Sequence, residues 1–396
     1  MTYSVALEPL QKQLTIPINK AALQQKLDSA LALIMQKLDA TILDLGDKFP
    51  GEACKDGVWP HVENCAWTAA FWPGRLWLAW EMTNEDRYRE AAERCLPAFR
   101  FRLDHAIRTN THDLGFLYIL SCVSAWKLTG NETARQLALE AADKLMERYL
   151  PDAGILQAWG TLDDPEQKGR IIIDCNMNLP LLYWASEQTG DRRYAEAAIA
   201  HVAQAATHLV RADASTFHTY FFDAETGKAR FGNTHQGYSD DSCWARGQAW
   251  GIYGFLLTWR YTGDNSMVEL SRRLAHYFLN RLPEDDVCHW DLDLCNTDAV
   301  RDSSAAAITV CGLLELVNGL PVLDPNREIY ENWALQIMAS LTENYLSTAE
   351  ERCEGILKHG VYHMHDDIGV DECTSWGDYF YMEAMIRLRK SWVPYW

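Results

Sequence analysis

Positive charge is scarce in this sequence of 396 residues: 36 Lys and Arg stand against 55 Asp and Glu, a net charge of −19 with histidine neutral. A field of that sign repels polyphosphate and anionic lipid, so neither nucleic acid nor a membrane surface is an expected partner. An acidic ligand would need locally placed cations. Cysteines spaced Cys-x-x-Cys are absent, and the eleven present are odd in number and scattered through apolar stretches, as at Cys122, Cys175 and Cys311. This pattern indicates neither a zinc ribbon nor a disulfide scaffold. No apolar run approaches the length of a bilayer span, and the opening MTYSVALEPLQKQL has no basic region followed by an apolar segment. The expected compartment is the reduced cytoplasm. No Pro/Ser-rich linker divides the chain, so one domain over residues 1–396 is expected. Nothing reports on oligomeric state.

Apolar residues make up 48% of the chain and charged residues 23%, enough for a large core. Sixteen Trp and seventeen Tyr suit either a thick helical core or a sugar-stacking surface, because each ring pairs an apolar face with a polar edge.

The organising signal is a recurring phrase in which an aromatic-rich apolar helix meets a short Thr and Gly or Asn turn, followed by an amphipathic helix. It occurs at Trp80–Asn84 (WEMTN), Trp126–Asn131 (WKLTGN), Trp184–Asp191 (WASEQTGD) and Trp259–Asp264 (WRYTGD), and more loosely at Leu316–Gly319. Gly ends a helix in the left-handed conformation and the following Asn or Asp caps the next. Segments before each corner, such as 114–126 and 251–259, are apolar nearly all round and read as inner helices. Those after it, such as 87–99 and 134–149, carry apolar residues at three and four spacing and read as outer helices. Inner helices are expected near 66–82, 112–128, 178–189, 242–262, 302–318 and 376–390. Outer helices are expected near 20–45, 84–105, 132–150, 191–210, 264–282 and 325–346. Six such hairpins close most economically as an all-α (α/α)6 toroid. Alternation over His218–Gly232 predicts a small β-hairpin insertion near 218–232.

In such a toroid the inner helices run one way and bring their N-termini, with free amides and positive dipole ends, to one mouth. Polar and aromatic residues collect at those starts: Trp67 and Trp72, His112 with Asp113, Asp174 with Asn176 and Asn178, Ser242 with Arg246, Asp302, and Trp376 with Asp378. Asp at a helix start is more often a cap than a catalyst, and Asp113 fits that role; Asn178 ahead of Pro180 reads as an N-cap with proline in the first turn. Asp174 fits it less well. It follows Ile171, Ile172 and Ile173, so its carboxylate is expected to press toward an apolar interior, where burial raises a carboxyl pKa. Arg246 and Trp250, four apart, share a helix face and offer a cation beside a ring, although an ion pair and a core Trp would share that spacing. His218 and Gln236 bracket the hairpin. The cluster His363, His365, Asp366 and Asp367 has metal-ligand residue types but reads as a polar loop, so no metal is expected.

The strings THDLGFLY (111–118), IIIDCNMNLPLLYWA (171–185) and SCWARGQAWGIYGF (242–255), set in the helical-hairpin frame, resemble the unsaturated glucuronyl hydrolases, family 88 of the glycoside hydrolases, over roughly residues 60–390. The resemblance implies that Asp174 is the general acid and base and Asp113 a second essential carboxylate. It places His218, Gln236, Arg246 and Trp250 around an unsaturated uronate, with Trp67, in competition with Trp72, and Trp159 as further walls. It implies a short acidic oligosaccharide left by a lyase as substrate, no cofactor, and hydration of a vinyl ether in place of the usual displacement by two carboxylates. Rival expectations are an unsaturated rhamnogalacturonyl hydrolase acting on pectin fragments, an (α/α)6 sugar epimerase with catalytic histidines, and a non-catalytic carbohydrate-binding toroid.

Overall fold

Helices of two kinds alternate along the chain in the computed structural model, which describes residues 4–12 and 18–396. In order they are α1 (Lys20–Leu45), α2 (Phe71–Thr83), α3 (Asp86–Asp104), α4 (Leu114–Tyr118), α5 (Ser124–Thr129), α6 (Glu132–Met146), α7 (Cys175–Asn178), α8 (Pro180–Thr189), α9 (Arg192–His208), α10 (Ala245–Thr262), α11 (Asn265–Leu279), α12 (Ser303–Gly319), α13 (Asn326–Ser340) and α14 (Ser375–Arg389). The inner ring is α2, α4 with α5, α7 with α8, α10, α12 and α14. Around it, α2 packs on α14, α14 on α12, α12 on α10, α10 on α7 and α7 on α4, and the ring closes where α2 meets the segment joining α4 to α5. The outer ring is α1, α3, α6, α9, α11 and α13. This is the expected (α/α)6 toroid.

Burial separates the two rings as the patterning requires. Every residue of α10 from Ala245 to Thr258 is buried, whereas α6 buries only a face, Ala134, Leu137, Ala138, Ala141, Ala142 and Leu145 among it. Four of the five inner-to-outer corners are two residues long, and the fifth, between α12 and α13, spans residues 320–325. Asn84, Gly130, Gly190 and Gly263 take left-handed φ values of 60° to 76°, and the Asn131, Asp191 and Asp264 side chains accept from the first free amides of α6, α9 and α11. One hydrophobic cluster runs from Leu23 to Trp396. Among the described residues no helix is long and apolar enough to cross a membrane.

Three expectations need correction. The inner helix expected over 112–128 is broken by a π-turn at Ile119–Val123 between α4 and α5, the kind of interruption that absorbs one extra residue in a helix. Asn178 does not cap its own helix: it is the last residue of α7, and its Oδ1 accepts from the amide of Phe116 in α4. The insertion near 218–232 is a three-stranded antiparallel sheet, because β5 (Arg170–Ile172) joins β6 (Thr219–Phe222) and β7 (Ala229–Asn233). Three more hairpins were not anticipated: β1 (Phe49–Pro50) with β2 (His61–Val62), β3 (Tyr149–Leu150) with β4 (Ile155–Leu156), and β8 (Gly360–His363) with β9 (Ile368–Glu372). Strands of two to five residues carry too little alternation to be read from sequence. All of these strands lie in outer-to-inner connections, at the mouth where the inner helices begin.

Candidate active site

Two close backbone approaches bring the polar starts of the inner helices together. A Cβ on Gly115 would lie 2.3 Å from the Asn178 Cα, and one on Gly254 would lie 2.4 Å from the Asn176 Cβ, so only glycine lets α4 and α10 close on α7. Strand β5 supplies the other constraint. Its pairing with β6 continues through the Ile173 amide donating to the His218 carbonyl at 3.0 Å, and the chain then turns into α7 at Asp174. That residue occupies the N-cap position without a side-chain capping bond, which leaves its carboxylate free to face the mouth.

The mouth holds a cavity of about 310 Å³ whose walls include Trp67, Asp113, Trp159, Asp174, His218, Gln236, Arg246 and Trp250, every site residue proposed from the sequence. Trp67 and not Trp72 borders it. Trp72 is buried and lies over the Arg75 guanidinium, 5.0 Å from ring centroid to cation. The Trp67 ring sits 5.2 Å from Trp376 and 5.5 Å from Phe116, and its indole N–H donates to the Tyr362 hydroxyl at 3.2 Å. Trp250 packs on Phe116 at 5.4 Å, so the floor is a continuous aromatic layer.

At the centre His112 stands between two carboxylates. Its Nε2 is 3.2 Å from Asp174 Oδ1 and 3.5 Å from Asp113 Oδ1. Both carboxylates are largely buried, Asp113 somewhat more so: the Asp174 side chain is 15% exposed and that of Asp113 is 9%. Burial raises the Asp113 carboxyl above its ordinary range, with His112 pulling it down and Asp174 pushing it further up. Asp113 Oδ2 also accepts from the Thr111 hydroxyl at 2.7 Å. Burial by itself lowers His112, but the attraction of Asp174 and Asp113 outweighs it and raises the imidazole above its usual value. Among the described residues, His112, Asp113 and Asp174 are the one group of His, Cys, Asp or Glu that converges tightly enough to hold a metal ion, one ligand atom from each lying within 4.8 Å of the others.

His218 is the opposite kind of group. Its Nδ1 accepts from the backbone amides of His235 and Gln236, both at 3.0 Å, which assigns the ring proton to Nε2. Burial, reinforced by His235 and Arg246, lowers its pKa well below the usual value. It is therefore a neutral N–H donor, its ring 4.2 Å from that of Trp244 and tilted 37° to it.

Arg246 is sandwiched between Trp244 and Trp376, 4.5 and 4.7 Å from their ring centroids. Its Nη1 donates to Asp302 at 3.4 Å and to the Val361 carbonyl, and its Nη2 donates to Gln236 Oε1 at 2.7 Å and to the Tyr362 carbonyl at 2.9 Å. Four of its five N–H groups thus have acceptors within the protein. The bond from Arg246 settles which end of Gln236 is the oxygen and leaves its amide nitrogen free of that contact.

The cavity also includes residues that sequence reasoning did not assign to it: His235, Trp244, Tyr362, His363, Asp366 and Ile368. Two of these had a signal in the sequence, since His235 adjoins Gln236 and Trp244 stands two residues before Arg246. His363 and Asp366, expected in a polar loop, lie in hairpin β8–β9, and His365 anchors that hairpin by its Nε2 contact of 2.7 Å to the Gly237 carbonyl.

Comparison with known proteins agrees with this arrangement. The sequence pattern of Glycosyl Hydrolase Family 88 matches residues 47–386. The unsaturated glucuronyl hydrolase of Bacillus sp. (strain GL1) is 46% identical over 94% of this chain and 98% of its own length. The unsaturated chondroitin disaccharide hydrolase of Streptococcus pyogenes serotype M1 is 43% identical over 99% of this chain and 98% of its own. The crystal structure of unsaturated glucuronyl hydrolase from Streptococcus agalactiae superimposes with a TM-score of 0.94 at 40% identity, covering 99% of each chain. The chain belongs to Glycosyl Hydrolase Family 88 and is an enzyme of the unsaturated glucuronyl hydrolase kind.

Proposed function

We propose that this enzyme releases the C4=C5-unsaturated uronic acid from the non-reducing end of lyase-generated glycosaminoglycan-type oligosaccharides, with Asp174 as proton donor and acceptor. The observation that carries this reading is the Asp174 carboxylate itself: it borders the cavity, caps nothing, and keeps Oδ1 without a hydrogen-bond partner. A substrate with a vinyl ether conjugated to a carboxylate reacts by protonation at C4 and addition of water at C5. The hemiketal so formed opens and frees the remaining saccharide. One carboxyl serves both steps, since after giving its proton it can accept one from the incoming water.

The neighbours have distinct parts in this scheme. Asp113, held by Thr111, orients water or substrate from beneath and, with His112, sets the charge around Asp174. The uronate carboxylate meets the Gln236 amide and the His218 Nε2–H, with the Arg246 cation behind them and partly compensated by Asp302. Trp67, Trp159 and Trp250 supply faces for the sugar rings. The cavity wall carries His363 and Asp366, and among the described residues Arg246 is its one Lys or Arg, which supports an unsulfated saccharide as the preferred partner.

The test is loss of the alkene's ultraviolet absorbance with unsaturated disaccharides from chondroitin, hyaluronan, heparin and pectin. Asp174→Asn is expected to fold like the wild type and to lose turnover by at least the roughly 10²–10⁴-fold that positioned acid–base catalysis supplies. Retention of a substantial fraction of the rate removes Asp174 from the central role, and faster turnover of the pectin fragment replaces the substrate class.

A further inference from the structure

His112 is almost fully buried, and neither ring nitrogen has a hydrogen-bond partner. Leaving two imidazole nitrogens unpaired in an interior costs free energy unless something else occupies the site. Its Nε2 approaches Asp174 Oδ1 and Asp113 Oδ1 at 3.2 and 3.5 Å, but both oxygens lie off the axis of a hydrogen bond. Those separations match another geometry. Four ligands at about 2.0–2.1 Å from a tetrahedral zinc ion lie roughly 3.3 Å from one another, each well off the line from its neighbour to the metal.

We propose that His112, Asp113 and Asp174 form a binding site for a divalent cation of the zinc class, and that the bound ion inhibits the enzyme by occupying the place of the catalytic proton. The inhibition rests on the reading of Asp174 given above; the binding does not. One imidazole and two carboxylates make an open three-ligand set, with the cavity supplying room for water or the substrate's own carboxylate as the fourth. Magnesium, which requires near-octahedral oxygen ligation and dehydrates reluctantly, fits the set poorly. The supports around the ligands are built in. The Thr111 hydroxyl fixes the far oxygen of Asp113 at 2.7 Å, and the His112 amide donates to the Ala158 carbonyl at 2.8 Å, holding the turn that carries the ring. Asp174, the most exposed of the three, is the one free to rotate onto the ion.

The experiment is titration of the chelator-treated full chain with zinc chloride by calorimetry, alongside cobalt chloride followed by visible absorption. The expected result is one zinc per chain, with the intense visible bands of four-coordinate cobalt. Binding should weaken at least tenfold in His112→Gln and in Asp113→Asn, with circular dichroism verifying that each variant is folded. Turnover of unsaturated disaccharide should fall as zinc fills the site and return on addition of chelator. Absence of stoichiometric binding, binding unchanged in folded His112→Gln, or displacement of zinc by an equal concentration of magnesium overturns the site. Stoichiometric, His112-dependent binding that leaves turnover untouched overturns the inhibition and the central role of Asp174 together. If zinc fails to bind while Asp174→Asn is inactive, only the metal site falls.

Discussion

The two rims of the toroid are made from the same number of helix ends and could hardly differ more. On the rim of the inner-to-outer corners, four of the five helix pairs are joined by two residues, a left-handed Gly or Asn and then an N-cap residue, which is Asn or Asp in three of them, and only α12 and α13 are joined by a longer stretch, residues 320–325. On the opposite rim the connections carry the nine strands of the described residues, the aromatic cavity and the His112–Asp113–Asp174 group. Short corners satisfy their backbone locally and have nothing left to offer a ligand. Long connections leave the amides and side chains of six helix starts to be satisfied by one another, and that is what builds a pocket.

Breaking the busy rim should cost most. Arg246→Ala leaves the Asp302 carboxylate buried without its cation, and removing one partner of such a pair destabilises by about 3–5 kcal/mol; chemical denaturation should register the loss, and the Michaelis constant should rise because Gln236 and hairpin β8–β9 lose their anchor. Gly254→Ala forces its new methyl into Asn176, an overpacking worth about 1–3 kcal/mol. Its informative readout is kcat, which should fall more than KM rises if the separation of α7 from α10 controls where Asp174 points.

A pH titration sharpens the comparison through the wall behind the site. His201 is buried, its Nδ1 accepts from the Leu156 amide at 2.8 Å, and burial lowers its pKa to about 3. The unfolded imidazole takes a proton near the ordinary value of 6.5 while the folded one does not until about 3, so between those limits the unfolded state binds more protons. Stability contributed here is present above 6.5 and is lost as pH falls toward 3. Thermal midpoints of the wild type should drop through this window, and those of His201→Gln, which can still accept from Leu156, should drop less steeply. At the quiet rim the effect is smallest: Asp264→Ala removes a cap and should cost about 1 kcal/mol of stability with turnover unchanged.

The same contrast explains what could be read from the chain. The WKLTGN, WASEQTGD and WRYTGD corners were legible because each is a local device, in which Gly and the capping residue do the same work in any helical hairpin. The inner and outer rings were legible because burial on all sides and burial on one side write different periodicities. At the mouth, Asp113 and Asp174 were found through residue type and family resemblance. Their geometry was not: the three isoleucines before Asp174 say that its carboxylate presses inward, but not that Asp113 lies slightly deeper. The turn into α7 carries the Asp174 carboxylate back out to the cavity. Hairpin β8–β9 reads as a polar loop in the sequence, since four- and five-residue strands around His363–Asp367 leave no alternation to detect.

From the sequence alone came the helical repeat, the ring count, the corner chemistry and the residue types at the mouth, all of them consequences of neighbours within about one helical turn. Tertiary structure decided that His112 stands between two aspartates 61 residues apart in sequence, that Gly115 and Gly254 permit their approach, and that Arg246 spends its donors on Asp302, Gln236 and the β8–β9 backbone. These depend on distances between segments remote along the chain, which only closure of the ring determines.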